Sequence, residues 1–206
     1  MLRIWGRITS INVQKVVWCA DELGLEYERI DVGGAFGGTK TPEYLAMNPN
    51  SYVPTIEEDG FTLYESNAIV RYLAARDPHA RLWPKDPRAR ADSDRWMEWQ
   101  SNTFTPAMRD AFWQLVRTPE AERDAAAIEK SRAASERLAV ILDAQLARNE
   151  YLTANGFTAA DLVVGCSAHR WLNLPLQRPK LANLERWYGL LKSRPASRQV
   201  TSQKLS

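Results

Sequence analysis

The stretch Asn48-Pro49-Asn50-Ser51-Tyr52-Val53-Pro54-Thr55, followed ten residues on by Glu65-Ser66-Asn67-Ala68-Ile69, decides how this chain is read. Proline has no N–H to give a sheet ladder, so the Val-Pro step predicts an edge strand or a strand's first residue. Asp59-Gly60, set between strand-like runs at 54–56 and 61–64, is a two-residue hairpin signal. An acid and a serine then open a helix over 65–77, with Ile69, Tyr72 and Leu73 on one side. The first N–H groups of a helix are unpaired and carry partial positive charge, so this opening can cradle a carboxylate.

Toward the N-terminus, Leu2 to Trp5 is a β-branched and aromatic run, broken at 6–10. Val13, Val16, Val17 and Ala20 then follow helical spacing, and Gly24 closes that helix. A second strand is predicted over 27–32. The glycine-rich segment 33–38 has neither a GxGxxG nor a GxxxxGK[ST] pattern and reads as a flexible loop rather than a phosphate cradle. Pro42 opens a short helix through Met47. The order β-α-β-α-β-β-α over 1–77 predicts an α/β, thioredoxin-like domain, in which helices cover both faces of a four-stranded sheet with one antiparallel hairpin.

Residues 78–87, with Pro78, Pro84 and Pro87, read as a linker. Everything from 88 to 206 reads as an all-α helical domain, with long amphipathic segments near 88–116 and 119–148 and shorter ones near 159–172 and 181–191. Within it, Thr158-Ala159-Ala160-Asp161 is a capping box, with Phe157 and Leu162 as its hydrophobic staple, so Asp161 is expected to serve the fold.

The composition bounds the function. The 206 residues carry 45% hydrophobic and 25% charged side chains, ordinary for a globular protein. A net charge of +2 argues against a dedicated nucleic-acid binder. No run is long and apolar enough to span a membrane, and the start lacks the apolar core of a signal peptide, so a cytoplasmic, non-membrane protein is expected. Cys19 and Cys166 lie in helix-like segments and form no Cys-x-x-Cys pair, as small buried hydrophobes of a reducing compartment do. His79 and His169 stand apart with no cysteine cluster, so no metal is expected.

With Ser10-Ile11-Asn12-Val13 ahead of them, Val53-Pro54 and Glu65-Ser66 complete three motifs whose order and spacing resemble the cytosolic glutathione transferases, over essentially the whole chain. The likeness is to serine-type members, bacterial and theta- or phi-like. It implies glutathione as co-substrate, conjugation to a small apolar electrophile, a detoxification role and a homodimer. Ser10 matches the family's serine that donates to the glutathione sulfur without itself becoming a nucleophile, and Asn12 supports it with an amide. Val53-Pro54 matches a step whose proline is cis and whose valine backbone pairs with the cysteinyl unit. Glu65 and Ser66 match the pair that reads the γ-glutamyl ammonium and carboxylate. Lys40 resembles a basic residue that meets the glycyl carboxylate in some members.

Magnitudes permit this chemistry. A thiol with an ordinary pKa near about 8.5 needs roughly 2.7 kcal/mol of anion stabilisation to drop about two units. One hydrogen bond to a charged group supplies roughly 1.5–3 kcal/mol, and a helix N-terminus roughly 0.3–1. Simpler readings stand beside these. Ser10 or Thr9 fits an ordinary N-cap, and Thr9 is the alternative hydroxyl; Glu65-Ser66 fits a plain helix start; Lys40 fits a solvated loop. Ser51 stands where the family often has glycine, which costs strain if that position needs positive φ. Phe104, Met108 and Trp113 are the candidates for an apolar second-substrate pocket between the domains, although aromatics at helical spacing also build cores. The same fold would also serve a glutathione-dependent disulfide reductase or peroxidase, or a non-catalytic interaction module.

Overall fold

Leu2–Trp5 (β1) alternates buried and half-buried residues, the period-two pattern of a strand with one well-covered face. In the computed structural model, which describes residues 1–206, β1 is an inner strand of a four-stranded sheet ordered β2-β1-β3-β4. It runs parallel to β2 (Tyr27–Ile30) and antiparallel to β3 (Thr55–Glu58), with Ile4 opposite Arg29 and Ile56. β3 turns into β4 (Phe61–Tyr64) at Asp59 and Gly60, whose φ values of 50° and 82° are those of the turn the sequence predicts. Pro54 stands just ahead of β3 rather than in it, because it has no N–H for the ladder.

Helix α1 (Ile11–Leu23) follows β1, α2 (Pro42–Met47) follows β2, and α3 (Ser66–Ala75) follows β4. This is the thioredoxin-like order predicted for the N-terminal region. Residues 13–20 of α1 are buried without a break, which one apolar stripe cannot explain. The helix packs on β1 and α3, and also against the segment Pro195–Gln203, which returns from the far end of the chain to this unit. Gln199 Nε2 donates to Asp21 Oδ2 at 3.0 Å and to the Tyr27 hydroxyl at 3.1 Å, pinning that return. The first unit by contacts is therefore Met1–Trp83 with Pro195–Gln203, and the second is Pro84–Arg194 with Lys204–Ser206. Fully burying each Val, Leu or Ile of these cores is worth roughly 1.5–3 kcal/mol.

The second unit is helical. Its first long run is not one α-helix: α4 (Pro87–Trp99) passes into a π turn at Gln100–Phe104, short pieces α5 (Thr105–Ala107) and α6 (Arg109–Phe112), and a second π turn at Trp113–Arg117. Pro106 cannot supply its N–H to the ladder. Gln100 Nε2, donating to Thr105 Oγ1 at 2.6 Å and Ser167 Oγ at 2.7 Å, holds the first π turn in place. The next helix, α7 (Ala125–Leu146), starts later than the amphipathic pattern suggests, because Asp124 caps it by accepting from the N–H groups of Ala126 and Ala127. Helices α8 (Ala159–Asn173), α9 (Ala182–Ser193) and α10 (Arg198–Thr201) complete the chain, α10 belonging to the first unit.

At the head of α8 the capping box forms. Asp161, fully buried, accepts from the N–H groups of Leu152 at 2.8 Å and Thr158 at 2.9 Å and from the Trp187 indole at 2.9 Å. Burial pushes its carboxyl up to about 6, against these donors, which favour the ionised form. No helix is long and apolar enough to cross a membrane.

Candidate functional site

A cavity of about 390 Å³ opens in the first unit, lined by Arg7, Ser10, Asn12, Asn48, Asn50, Tyr52, Val53, Pro54, Glu65 and Ser66. Six of the residues singled out in the sequence thus come together from three separate segments. Lys40, exposed, and Thr9 do not line it.

Ser10 is the N-cap of α1 by backbone geometry, its carbonyl accepting from Gln14 at 2.9 Å, yet its side chain makes no capping bond. Ser10 lines the cavity at the opening turn of a 13-residue helix, whose first N–H groups lack intrahelical partners. Asn12 is occupied on one side only: its Oδ1 accepts from Ser66 Oγ at 3.4 Å, which leaves the amide N–H groups as donors.

The Val53–Pro54 bond is cis. The loop that delivers it is tied from behind. Buried Asn48 donates to the Tyr52 carbonyl at 2.9 Å and to Thr55 Oγ1 at 3.1 Å, and Tyr44 OH donates to the same carbonyl at 2.6 Å. Ser51 takes φ 58°, the left-handed conformation in which serine is strained. Gly6 makes the close approach possible: a Cβ there would lie 2.4 Å from Val13 Cγ2 and 3.2 Å from Val53 Cβ.

At the other wall, Glu65 is the N-cap of α3 with φ 70°, again with no side-chain cap bond. A non-glycine residue held in that region costs about 1–3 kcal/mol and marks a position the surroundings enforce. Glu65 and the neighbouring Ser66 both line the cavity. Together they offer a negative group for an ammonium and, at a helix start, donors for a carboxylate.

Arg7, Asn48, Asn50 and Tyr52 are lining residues that the sequence did not mark as such. Arg7 lies over Gly34, where a Cβ would meet its Nε at 2.9 Å, so glycine there is the space that receives the guanidinium. The glycine-rich loop is thus a bed for a side chain 27 residues earlier (34 − 7), which no local pattern announces. Among the lining residues Arg7 is the one cation and Glu65 the one anion.

Phe104 and Met108 are fully buried in the second unit, Phe104 stacked on Trp99 at 5.0 Å. Trp113 is 51% exposed and, with Arg109, Asp110, Gln114 and Ala127, lines a cavity of about 470 Å³ within that unit. Neither cysteine is in a disulfide, both are buried, and burial pushes the Cys19 thiol well up, away from reactivity. No three His, Cys, Asp or Glu side chains group as metal ligands.

Comparison with known proteins identifies the family. The model of the glutathione S-transferase N-terminal domain matches residues 1–75, and that of the C-terminal domain matches residues 104–195. The chain is 42% identical over 202 residues to glutathione S-transferase GstB of Escherichia coli, covering 97% of each. It is 36% identical over 167 residues to glutathione S-transferase 3 of Zea mays, covering 78% of this chain and 73% of the other. Among solved structures, the theta class glutathione S-transferase of Xanthomonas axonopodis pv. citri with glutathione bound superposes with a TM-score of 0.95 at 47% identity, covering 100% of this chain and 99% of that one. The chain belongs to the glutathione S-transferase family.

Proposed function

We propose that this protein binds glutathione in the cavity of its first unit, holds the sulfur as thiolate through Ser10, and conjugates it to a small apolar electrophile. The observation that carries the reading is Ser10, which sits at a helix start and lines the cavity while its side chain makes no cap bond. A neutral donor there favours the charged form of the thiol and disfavours the neutral one, so the proton leaves to solvent at a lower pH. Asn12 adds its amide. The thiolate then attacks the electrophilic carbon, forming the S–C bond as the leaving group departs with its electron pair. Enclosure and orientation supply the remaining acceleration, and no protein nucleophile is required.

The rest of the ligand is read by complementary charge. Ser66 and the α3 N-terminus suit the γ-glutamyl carboxylate, and Glu65 suits the ammonium. The backbone of Val53, beside the cis bond, suits the cysteinyl amide, while Lys40 is left as a contact to the glycyl carboxylate. The exposed Trp113 is assigned to the apolar partner, with the fully buried Phe104 and Met108 left as candidates of the same helical run. The boundaries 1–77, 78–87 and 88–206 remain the proposed division of labour between glutathione binding, linker and helical domain. A cytoplasmic homodimer is also proposed, and sedimentation tests the assembly.

The test is the ultraviolet thiolate absorbance of bound glutathione, titrated with pH on the wild type and Ser10→Ala. A thiolate at neutral pH in the wild type, with its pKa raised by about one to two units in the variant, is expected. A thiolate unmoved by the mutation contradicts the role of Ser10. Turnover of disulfides or peroxides without conjugation would instead favour the reductase chemistry.

A further inference from the structure

On a helical wheel Lys15 is one polar position of an amphipathic helix; in the fold it is 1% exposed. It follows Asn12 by one turn of α1, so the two side chains share a face, and α1 packs along α3. At the start of α3, Lys15 Nζ donates to Ser66 Oγ at 3.4 Å and to Asn67 Oδ1 at 3.3 Å. Ser66 Oγ in turn donates to Asn12 Oδ1 at 3.4 Å. Ser66 and Asn12 line the cavity, and Lys15 stands behind them.

Two consequences follow from this chain of contacts. An ammonium has only donors, so it occupies a lone pair of the Ser66 hydroxyl and leaves the hydroxyl proton to point elsewhere. That proton now meets a neutral amide oxygen at the long end of hydrogen-bond range, a partner that a carboxylate readily displaces. The ammonium also adds its charge to the partial positive charge at the head of α3, so both favour an anion at the same place.

We infer that Lys15 is a positioning residue for a carboxylate bound at Ser66: it orients the Ser66 hydroxyl as a donor and supplies positive potential from behind the cavity wall. The inference rests on reading the cavity as a glutathione site, and it adds a cation from α1 to the γ-glutamyl end of the ligand.

The experiment compares binding of glutathione with binding of its analogue lacking the γ-glutamyl α-carboxylate, 4-aminobutyryl-cysteinylglycine, by calorimetry on the full chain. The wild type should prefer glutathione by more than about tenfold, the worth of one hydrogen bond to a charged group. Lys15→Met should cut that preference by about three- to tenfold, and Lys15→Arg should restore much of it. If the methionine variant does not fold, Lys15→Gln takes its place, removing the charge while keeping a donor. Equal weakening of both ligands would mark Lys15 as merely structural and overturn the inference, as would an undiminished preference. A wild type that binds both ligands equally would overturn the glutathione reading at Ser66 itself, an outcome separate from any effect of Lys15.

Discussion

Seven α-helix starts in this molecule carry a residue able to cap, and those away from the cavity mostly use it: Thr41 of α2 accepts from the Tyr44 N–H at 3.3 Å, and only Ser197, opening the four-residue α10, makes no cap bond. In the helical unit Asp86 accepts from Ala89 N–H at 2.8 Å, Asp124 accepts from two N–H groups, and Asp161 closes the box with Thr158. At the two starts that line the cavity, Ser10 and Glu65 occupy the N-cap with no side-chain cap bond. The first group is committed to the fold, and the second is not. A residue type alone does not separate the two, since serine and aspartate are both good caps. What separates them is whether the side-chain oxygen bonds back onto its own helix.

The comparison is sharpened most by Asp161. Replacing it with alanine strands the buried N–H groups of Leu152, Thr158 and Trp187. At roughly 1–3 kcal/mol for each unsatisfied donor, urea denaturation should show a loss of at least about 3 kcal/mol. Glutathione affinity of the folded fraction should hardly change.

A pH dependence follows from the same residue. The folded-state pKa of Asp161 is raised from an ordinary 3.8 to about 6. The folded form therefore binds a proton that the unfolded chain does not hold between about pH 4 and 6. Its contribution is fully present below about pH 4 and is lost as pH rises through about 6, by at most about 3 kcal/mol. Denaturation midpoints of Asp161→Asn, compared with the wild type across that window, should show this slope removed.

Smaller effects are expected at the cavity loop. Ser51→Gly relieves a left-handed serine and should stabilise the protein by up to about 1 kcal/mol, read as a higher denaturation midpoint. Destabilisation by this change would mean that the serine side chain has a role its φ angle does not reveal.

Much of this was legible in the sequence because the signals were local. The Asp59-Gly60 turn, the proline at the start of α2, the capping box at Thr158 and the helical stripes each need only a few neighbouring residues. The N-cap and Val-Pro positions that line the cavity were legible for the same reason. Arg7 was not, because its placement depends on a glycine bed at the end of another strand connection. Lys15 was not, because periodicity shows that a helix position is polar, but not that a second helix start will cover it. The return of Pro195–Gln203 to α1 and the π turns around Pro106 likewise depend on contacts distant in sequence.

The most direct test of the division between committed and available caps sets Ser10→Ala beside Asp124→Ala in urea denaturation of the ligand-free protein. Asp124→Ala should lose about 1 kcal/mol, the ordinary worth of a cap, whereas Ser10→Ala should stay within about 0.3 kcal/mol of the wild type. An equal loss in both would contradict the account, because it would place the Ser10 hydroxyl among the groups that hold the fold.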